Sequence, residues 1–316
     1  MNRILFIIRV DRTNLLQKMQ EYIRESNIKC EIVVLSDSMW NPCRKFIQNY
    51  IYMQPNVNEE NFIKSIIEEY SINGIMVASN YDLKYINNMQ EWLKKKKINF
   101  YGPDFQSLLV CLSKKKQYSL LREHDIPVVN MYSYDEIMKS NCNMFPLIIK
   151  PSNGQGSKNI IEISSREELV WSYNRLEDPV IQPKIEGKEY TIDCFNDYKG
   201  KVLLSVPRER LVVDGPHTIV AKIHLNETLN SIAFKISRIV KIVGPWNFQV
   251  FEVNNKYIVH DINPRIANGL CFSITAGAPF EALIIDYLLG EEKEASIKMH
   301  DVIEDKKVLY QYSKYF

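Results

Sequence analysis

A chain of 316 residues is too long for one small domain and suits two or three, so it can bury a sizeable core. With 46% hydrophobic and 25% charged residues its composition is that of an ordinary globular protein, which excludes the disordered, collagen-like and disulfide-scaffold classes. The 40 basic and 38 acidic side chains leave a formal net charge of +2, no electrostatic footprint for nucleic acid or an anionic membrane.

Glycine is sparse, 11 in all, roughly half the usual frequency of about 7%, so each one marks a place where the backbone needs it. The cysteines (Cys30, Cys43, Cys111, Cys142, Cys194, Cys271) form no CxxC pair and read as reduced, mostly buried thiols of a cytoplasmic protein. The start, Met-Asn-Arg, then ILFII and Arg9, is too soon interrupted for a signal peptide. No apolar run approaches the roughly 18 residues of a membrane span.

In chain order, Ile4 to Val10 reads as a strand, Leu15 to Ser26 as an amphipathic helix, Glu31 to Leu35 as a strand, Phe62 to Tyr70 as a helix and Gly74 to Ser79 as a strand. This alternation predicts parallel pairing with right-handed crossovers, a small doubly wound α/β domain over residues 1–103 closed by the Tyr101-Gly102-Pro103 turn. A helix from about Leu112 to Glu123 follows, stopped before Pro127. Then come strand Phe145 to Lys150, a glycine turn, strand Asn159 to Ser164, helix Arg166 to Leu176, and strands Val180 to Pro183 and Tyr190 to Asp197. That mixture predicts α+β architecture with antiparallel sheet, divided into residues 104–180 and 181–316. The basic runs Lys94–Lys97 and Lys114–Lys116 lie on predicted helices and read as solvated faces, Lys114 excepted.

The segment IIKPSNGQGSKNIIEIS, Ile148 to Ser164, carries Gly154-Gln155-Gly156. A Rossmann fingerprint needs a helix next and a glycine at the sixth place; here Asn159 and a β-rich run follow, and no Walker GxxxxGK[ST] occurs. What remains is a glycine-tipped hairpin whose backbone N–H groups, with the Ser157 hydroxyl and the Lys150 charge, suit a phosphate; a plain surface hairpin is the bland alternative. In VIQPKIEGKEYTIDCF, Val180 to Phe195, a strand ending at a proline offers the carbonyl and N–H groups that adenine edges use, and Glu189 stands seven residues beyond Gln182 to accept from ribose hydroxyls. Solvent-facing charges around a Gly187 turn would explain the same segment. In NFQVFEVNNKYIVHDINPRIANG, Asn247 to Gly269, two strands meet at an Asn254-Asn255 turn; alternation sets Gln249 with Phe251, and Asp261 with Asn263, while His260 faces the other side. Such oxygen donors suit Mg²⁺, with Arg265 balancing phosphate charge.

Together these segments resemble the ATP-grasp superfamily, in particular its carbamoyl-phosphate-synthase-like and D-alanine-D-alanine-ligase-like branches, from about Leu112 to Gly290. The resemblance implies an N-terminal doubly wound domain and two α+β subdomains gripping ATP. It implies that Lys114 and Lys150 bind ATP phosphates, Gly154 to Ser157 form the flexible loop, Gln182, the Pro183 carbonyl and the Ile185 N–H hold adenine, and Glu189 the ribose. Gln249, Asp261 and Asn263 match the metal ligands, for one or two Mg²⁺ with Mn²⁺ as a substitute, and Arg265 the arginine that stabilises the phosphoryl group in transfer. Arg208, Arg210, Asn268 and Gly269 are matched to the substrate side. Asp261 stands where glutamate is usual and Asn159 where the loop has a glycine; Pro183 and Asp125 also depart from the pattern.

The implied activity is an ATP-dependent carboxylate–amine ligase working through an acyl phosphate on small-molecule substrates, with no nucleic acid or membrane partner. The alternatives are a carbamoyl-phosphate-synthase-like enzyme phosphorylating bicarbonate or carbamate, and an ATP-binding module without ligase activity. Substrate-lining loops are expected at Leu211 to His224 and Ala267 to Ser273. The alternating C-terminal VLYQYSKYF suits internal packing or a homodimer contact.

Overall fold

In the computed structural model, residues 1–154, 159–215, 217–291 and 302–309 are described. The N-terminal part is a parallel sheet of β1 (Asn2–Ile8), β2 (Cys30–Ser36), β3 (Asn49–Tyr52), β4 (Gly74–Val77) and β5 (Asn99–Phe100), in the order β3-β2-β1-β4-β5. Its central strands are apolar on both faces, as helices on either side require: Ile4, Phe6 and Ile8 meet Leu15, Leu16 and Met19, while Leu5 and Ile7 meet Ile63, Ile66 and Ile67. The short strands β3 and β5 escape a reading by pattern because Asn-Tyr-Ile-Tyr and Asn-Phe are too brief to show a period.

The helix expected over Leu112 to Glu123 runs from Lys114 to Glu123, and a helix that was not expected, Phe105–Cys111, precedes it. Ser113 breaks the run because its side chain accepts from the Lys116 N–H and so caps the second helix. Asp125 takes the left-handed conformation at the helix stop, φ 54°, where the family pattern has glycine.

A small antiparallel sheet follows, built of β6 (Leu147–Pro151), β7 (Ile161–Ile163) and β8 (Pro179–Pro183) in the order β7-β6-β8. The β6–β7 pairing makes the predicted hairpin. Strand β8 belongs to this sheet through Pro183, so the division expected after residue 180 cuts a strand whose Ile181 packs with Leu147 and Ile149.

The third sheet is antiparallel, in the order β13-β12-β9-β10-β11-β14, from β9 (Lys188–Asn196), β10 (Val202–Asp214), β11 (His217–Ile223), β12 (Gly244–Val253), β13 (Lys256–Asn263) and β14 (Lys307–Leu309). One face packs on helix Glu227–Ile239 through Leu229, Ile232 and Ile236. On the other, Phe195, Leu204 and Val206 join Ile266, Leu270 and Phe280 in one core with the first helix of the N-terminal part. Helix Phe280–Leu288 also reaches back to the parallel sheet: Asn99 Nδ2 donates to the Leu288 carbonyl at 3.1 Å, and a Cβ on Gly74 would lie 2.5 Å from that oxygen. Strand β14 completes the sheet against β11, while Tyr310 and Tyr312 of the expected alternating strand lie outside the described residues. Among the described residues no helix is long and apolar enough to cross a membrane.

Candidate functional site

The site lies where the small sheet faces strands β12 and β13. Helix Lys114–Glu123 fixes that relation. Gln117 pairs with the edge of β13 as a neighbouring strand would: Nε2 donates to the Ile262 carbonyl at 3.2 Å and Oε1 accepts from the Ile262 N–H at 2.9 Å. The Tyr118 hydroxyl donates to the His260 carbonyl at 2.8 Å, and the Lys114 N–H donates to the Ser152 carbonyl at 3.0 Å. The start of the helix is thereby held between the end of β6 and strand β13.

Lys114 consequently points its ammonium at both: Nζ is 3.0 Å from Asp261 Oδ1 and 3.4 Å from the Gly154 carbonyl. Asp261 Oδ2 accepts from Asn263 Nδ2 at 2.9 Å, and Asn263 Oδ1 accepts from Arg265 Nη2 at 3.3 Å. Gln249 is in register with Asp261 on the neighbouring strand. Lys150, at the end of β6, is 6% exposed, and burial, then the Lys114 charge, pushes its pKa down to about 8. Burial works against ionisation of Asp261, but Lys114, His260 and Lys150 outweigh it and hold the carboxyl at about 2. Arg265 is shifted below its ordinary value by burial. An ionised carboxylate, amide oxygens and cations converge here, and among the described residues no group of three His, Cys, Asp or Glu side chains could hold a metal. Such a donor set fits a hard divalent cation that keeps waters and completes its shell from phosphate oxygens.

Where the adenine hinge was expected, Gln182 is buried beside Tyr118, and Pro183 and Ile185 line a cleft of about 270 Å³ with Val128, Val253 and Ile258. Gly187 serves here by close approach, with no left-handed backbone: a Cβ would lie 2.4 Å from the Glu252 carbonyl. Gln155, Gly156 and Ser157 lie outside the described residues, but Asn159, in the place of a loop glycine, has φ 57°.

Three expectations change. His260 does not face away: a bulge between Gln249 and Val250 turns it onto the Asp261 side, where its ring stacks on Phe251 at 4.3 Å and Nε2 is 3.4 Å from Glu189 Oε1. Arg210 pairs with Glu189 and donates to Thr218 Oγ1 at 2.9 Å, so it braces the expected ribose acceptor instead of facing a substrate carboxylate. Arg208 is 2% exposed, its Nε and Nη2 on Asp193 at 2.8 and 3.3 Å, and Ser273 Oγ donates to the same carboxylate at 2.7 Å. An aspartate amid Ile192 and Cys194 in an apolar strand was the sequence signal for this buried pair. Gly269 stands against it, a Cβ there being 2.9 Å from Arg208 Nη2. Asn268 bonds Arg12 of the N-terminal part and places Nδ2 2.7 Å from His217 Nδ1. Arg12 and His217 were not singled out from sequence, although Arg12 follows the first parallel strand, where open sheets bind ligands.

The sequence model of a family described as ATP-grasp in the biosynthetic pathway with Ter operon matches residues 175–309. The carbamoyl phosphate synthase large chain of Caldanaerobacter subterraneus subsp. tengcongensis is 24% identical over 272 residues, covering 78% of this chain and 25% of that protein. This chain thus spans about a quarter of the length of such relatives. The biotin carboxylase domain of Hydrogenobacter thermophilus 2-oxoglutarate carboxylase, solved with MgADP, ADP and bicarbonate, superposes with a TM-score of 0.76 at 13% identity, covering 96% of this chain and 73% of that one. The L-amino acid ligase of Bacillus licheniformis gives a TM-score of 0.67 at 17% identity, covering 92% of this chain and 74% of that one. The chain has the ATP-grasp fold. Lys114, Lys150 and the Asp261–Arg265 segment come together between the small sheet and the large antiparallel sheet.

Proposed function

We propose that this chain is an ATP-dependent carboxylate–amine ligase. The observation that carries the reading is the meeting of Lys114, Lys150, Asp261, Asn263 and Arg265, with Lys150 on the strand paired to β8, whose far end opens into the Pro183–Ile185 cleft. A substrate carboxylate oxygen attacks the γ-phosphorus of ATP, the bond to the β-γ bridging oxygen breaks and ADP leaves; an amine then attacks the acyl carbon and inorganic phosphate departs. The chain's own part is electrostatic and positional. Lys114, Lys150 and Arg265 oppose the charge that spreads over the phosphoryl oxygens, in a site where burial makes each of them count for more than in water. Asp261 and Asn263, with Gln249 beside them, would hold Mg²⁺, which supplies Lewis-acid neutralisation of phosphate charge when bound. No side-chain nucleophile is needed.

The similarity to carbamoyl phosphate synthase large chains and to a biotin carboxylase domain solved with bicarbonate supports a second reading, phosphorylation of bicarbonate by the same residues. A phosphate-release screen separates the two: amino acids singly and in pairs, and bicarbonate with and without ammonia, followed by product mass. Release that requires a carboxylate and an amine, with a condensed product, supports the ligase; release that requires bicarbonate alone replaces it.

A further inference from the structure

Asp261 sits in a strand whose ladder is broken on one side and absent on the other. Along β12 the register steps: Gln249 lies opposite Asp261 and Val250 opposite Val259, so His260 is an extra residue in β13. A bulge of this kind interrupts pairing, bends the strand and re-aims the side chains beside it. The other edge of β13 is the end of the six-stranded sheet, where N–H and C=O groups have no further strand to meet. Left to the sheet alone, the backbone that carries Asp261 would be poorly fixed.

Helix Lys114–Glu123 closes that edge with two consecutive side chains. The Tyr118 hydroxyl donates to the carbonyl of His260, the bulged residue itself, at 2.8 Å. Gln117 accepts from the Ile262 N–H at 2.9 Å and donates to the Ile262 carbonyl at 3.2 Å, and Nε2 also donates to the Cys111 carbonyl at 2.6 Å. The amide thus stands in for a neighbouring strand and ties β13 to the end of helix Phe105–Cys111. Gln117 is 1% exposed and Tyr118 fully buried, so water does not compete for these bonds. The His260 carbonyl belongs to the peptide unit before Asp261 and the Ile262 N–H to the one after it. The backbone is therefore held on both sides of the residue whose carboxylate meets Lys114, which stands one turn earlier on the same helix.

We propose that Gln117 and Tyr118 are positioning residues of the cation site: they clamp the bulged backbone of β13 around Asp261 and so fix where its carboxylate is presented to Mg²⁺. A ligand that is to hold a cation has to be placed to within about 0.5 Å, and groups that orient metal ligands are typically worth roughly 10–100-fold in metal affinity. The inference rests on the reading of Asp261 and Asn263 as Mg²⁺ ligands. It adds that their placement depends on residues that hydrogen-bond the backbone around Asp261 and not its carboxylate.

The test is isothermal titration of ADP into the full chain with Mg²⁺ and again with EDTA, which gives a ratio of the two affinities, together with a melting curve for each sample. Three variants are compared with the parent. Tyr118→Phe keeps the ring and loses only the hydroxyl; Gln117→Met keeps the length of the side chain and loses all three hydrogen bonds. Leu121→Ala, a buried position on the same helix, loosens the packing and leaves the bonds to β13 in place. The Mg²⁺ ratio is expected to fall by about threefold in Tyr118→Phe and about tenfold in Gln117→Met. In Leu121→Ala it should stay at the parent value although the melting temperature drops. A parent ratio in the folded clamp variants, or an equal fall in Leu121→Ala, overturns the clamp and leaves the cation site standing. A parent chain whose ADP binding ignores Mg²⁺ condemns the cation site and the clamp with it. If Gln117→Met does not fold, Tyr118→Phe decides alone, since the loss of one hydroxyl keeps the core filled.

Discussion

Lys114 Nζ and Asp261 Oδ1 stand 3.0 Å apart, joining the first turn of a helix to the last turn of strand chemistry 147 residues later. Both side chains are largely withdrawn from water, and the Lys114 charge is the foremost of those that hold Asp261 ionised against burial. Lys114→Met strands Asp261, and we expect lower stability together with weaker nucleotide binding. The double variant Lys114→Met/Asp261→Asn is expected to regain part of that stability but none of the binding. Denaturant midpoints and nucleotide titrations check it; equal midpoints for the single and double variants would show that the pair is not coupled.

Lys150 supplies a pH dependence. Its pKa in the folded chain is about 8 against an ordinary 10.5, from burial and then Lys114. Between those values the unfolded chain binds more protons than the folded one, so this group's contribution makes stability rise with pH across that window. Nucleotide phosphates favour the ammonium, so binding near pH 8 is expected to take up a proton. Calorimetry in two buffers of different ionisation heat reads that uptake, and Lys150→Met should remove it; the same uptake in the variant would move the proton to another group.

His260, turned inward as the extra residue of a bulge in β13, gives a third expectation. Its ring lies between Phe251 and Glu189, and burial keeps its pKa below the ordinary histidine value although Glu189 opposes the shift. His260→Ala is expected to raise KM for ATP several-fold while leaving kcat within about twofold, because it loosens the Glu189–Arg210 brace without touching the phosphoryl end. A fall in kcat at constant KM would place His260 in the chemistry instead.

Two glycines should behave differently. At Gly187 a Cβ would be 2.4 Å from a backbone carbonyl, so Gly187→Ala is expected to cost about 1–3 kcal/mol of stability. At Gly154 the nearest contact would be 3.3 Å, from the Pro151 carbonyl, which a small adjustment relieves. Gly154→Ala should therefore melt close to the parent while ATP turnover falls. Parallel melting curves decide this, and a lower melting temperature for Gly154→Ala than for Gly187→Ala would reverse the assignment.

Sequence carried the parts of the site that lie on one strand or one turn. Lys150 and Asp261 to Arg265 were legible as strand-end groups because alternation and turn chemistry place neighbours on a strand. Lys114 came from the resemblance in sequence. Pairings between distant strands were not legible. Arg208 and Arg210 look alike two residues apart, yet one meets Asp193 and the other Glu189, partners set by sheet order and not by local pattern. His260 was misplaced because a bulge breaks the period-two count without any glycine to announce it. The contact of Arg12 with Asn268 was invisible for a similar reason: it arises only through the packing of the first and last parts of the chain.

The central claim is that Lys114, Lys150, Asp261, Asn263 and Arg265 make one magnesium–nucleotide site. Isothermal titration of ADP into the full chain, with Mg²⁺ or with EDTA, and into the Asp261→Ala/Asn263→Ala variant measures it without need of a substrate. The account predicts saturable binding that weakens at least about tenfold when Mg²⁺ is removed and no longer responds to Mg²⁺ in the folded variant. Binding of equal strength in the variant, still strengthened by Mg²⁺, would contradict it.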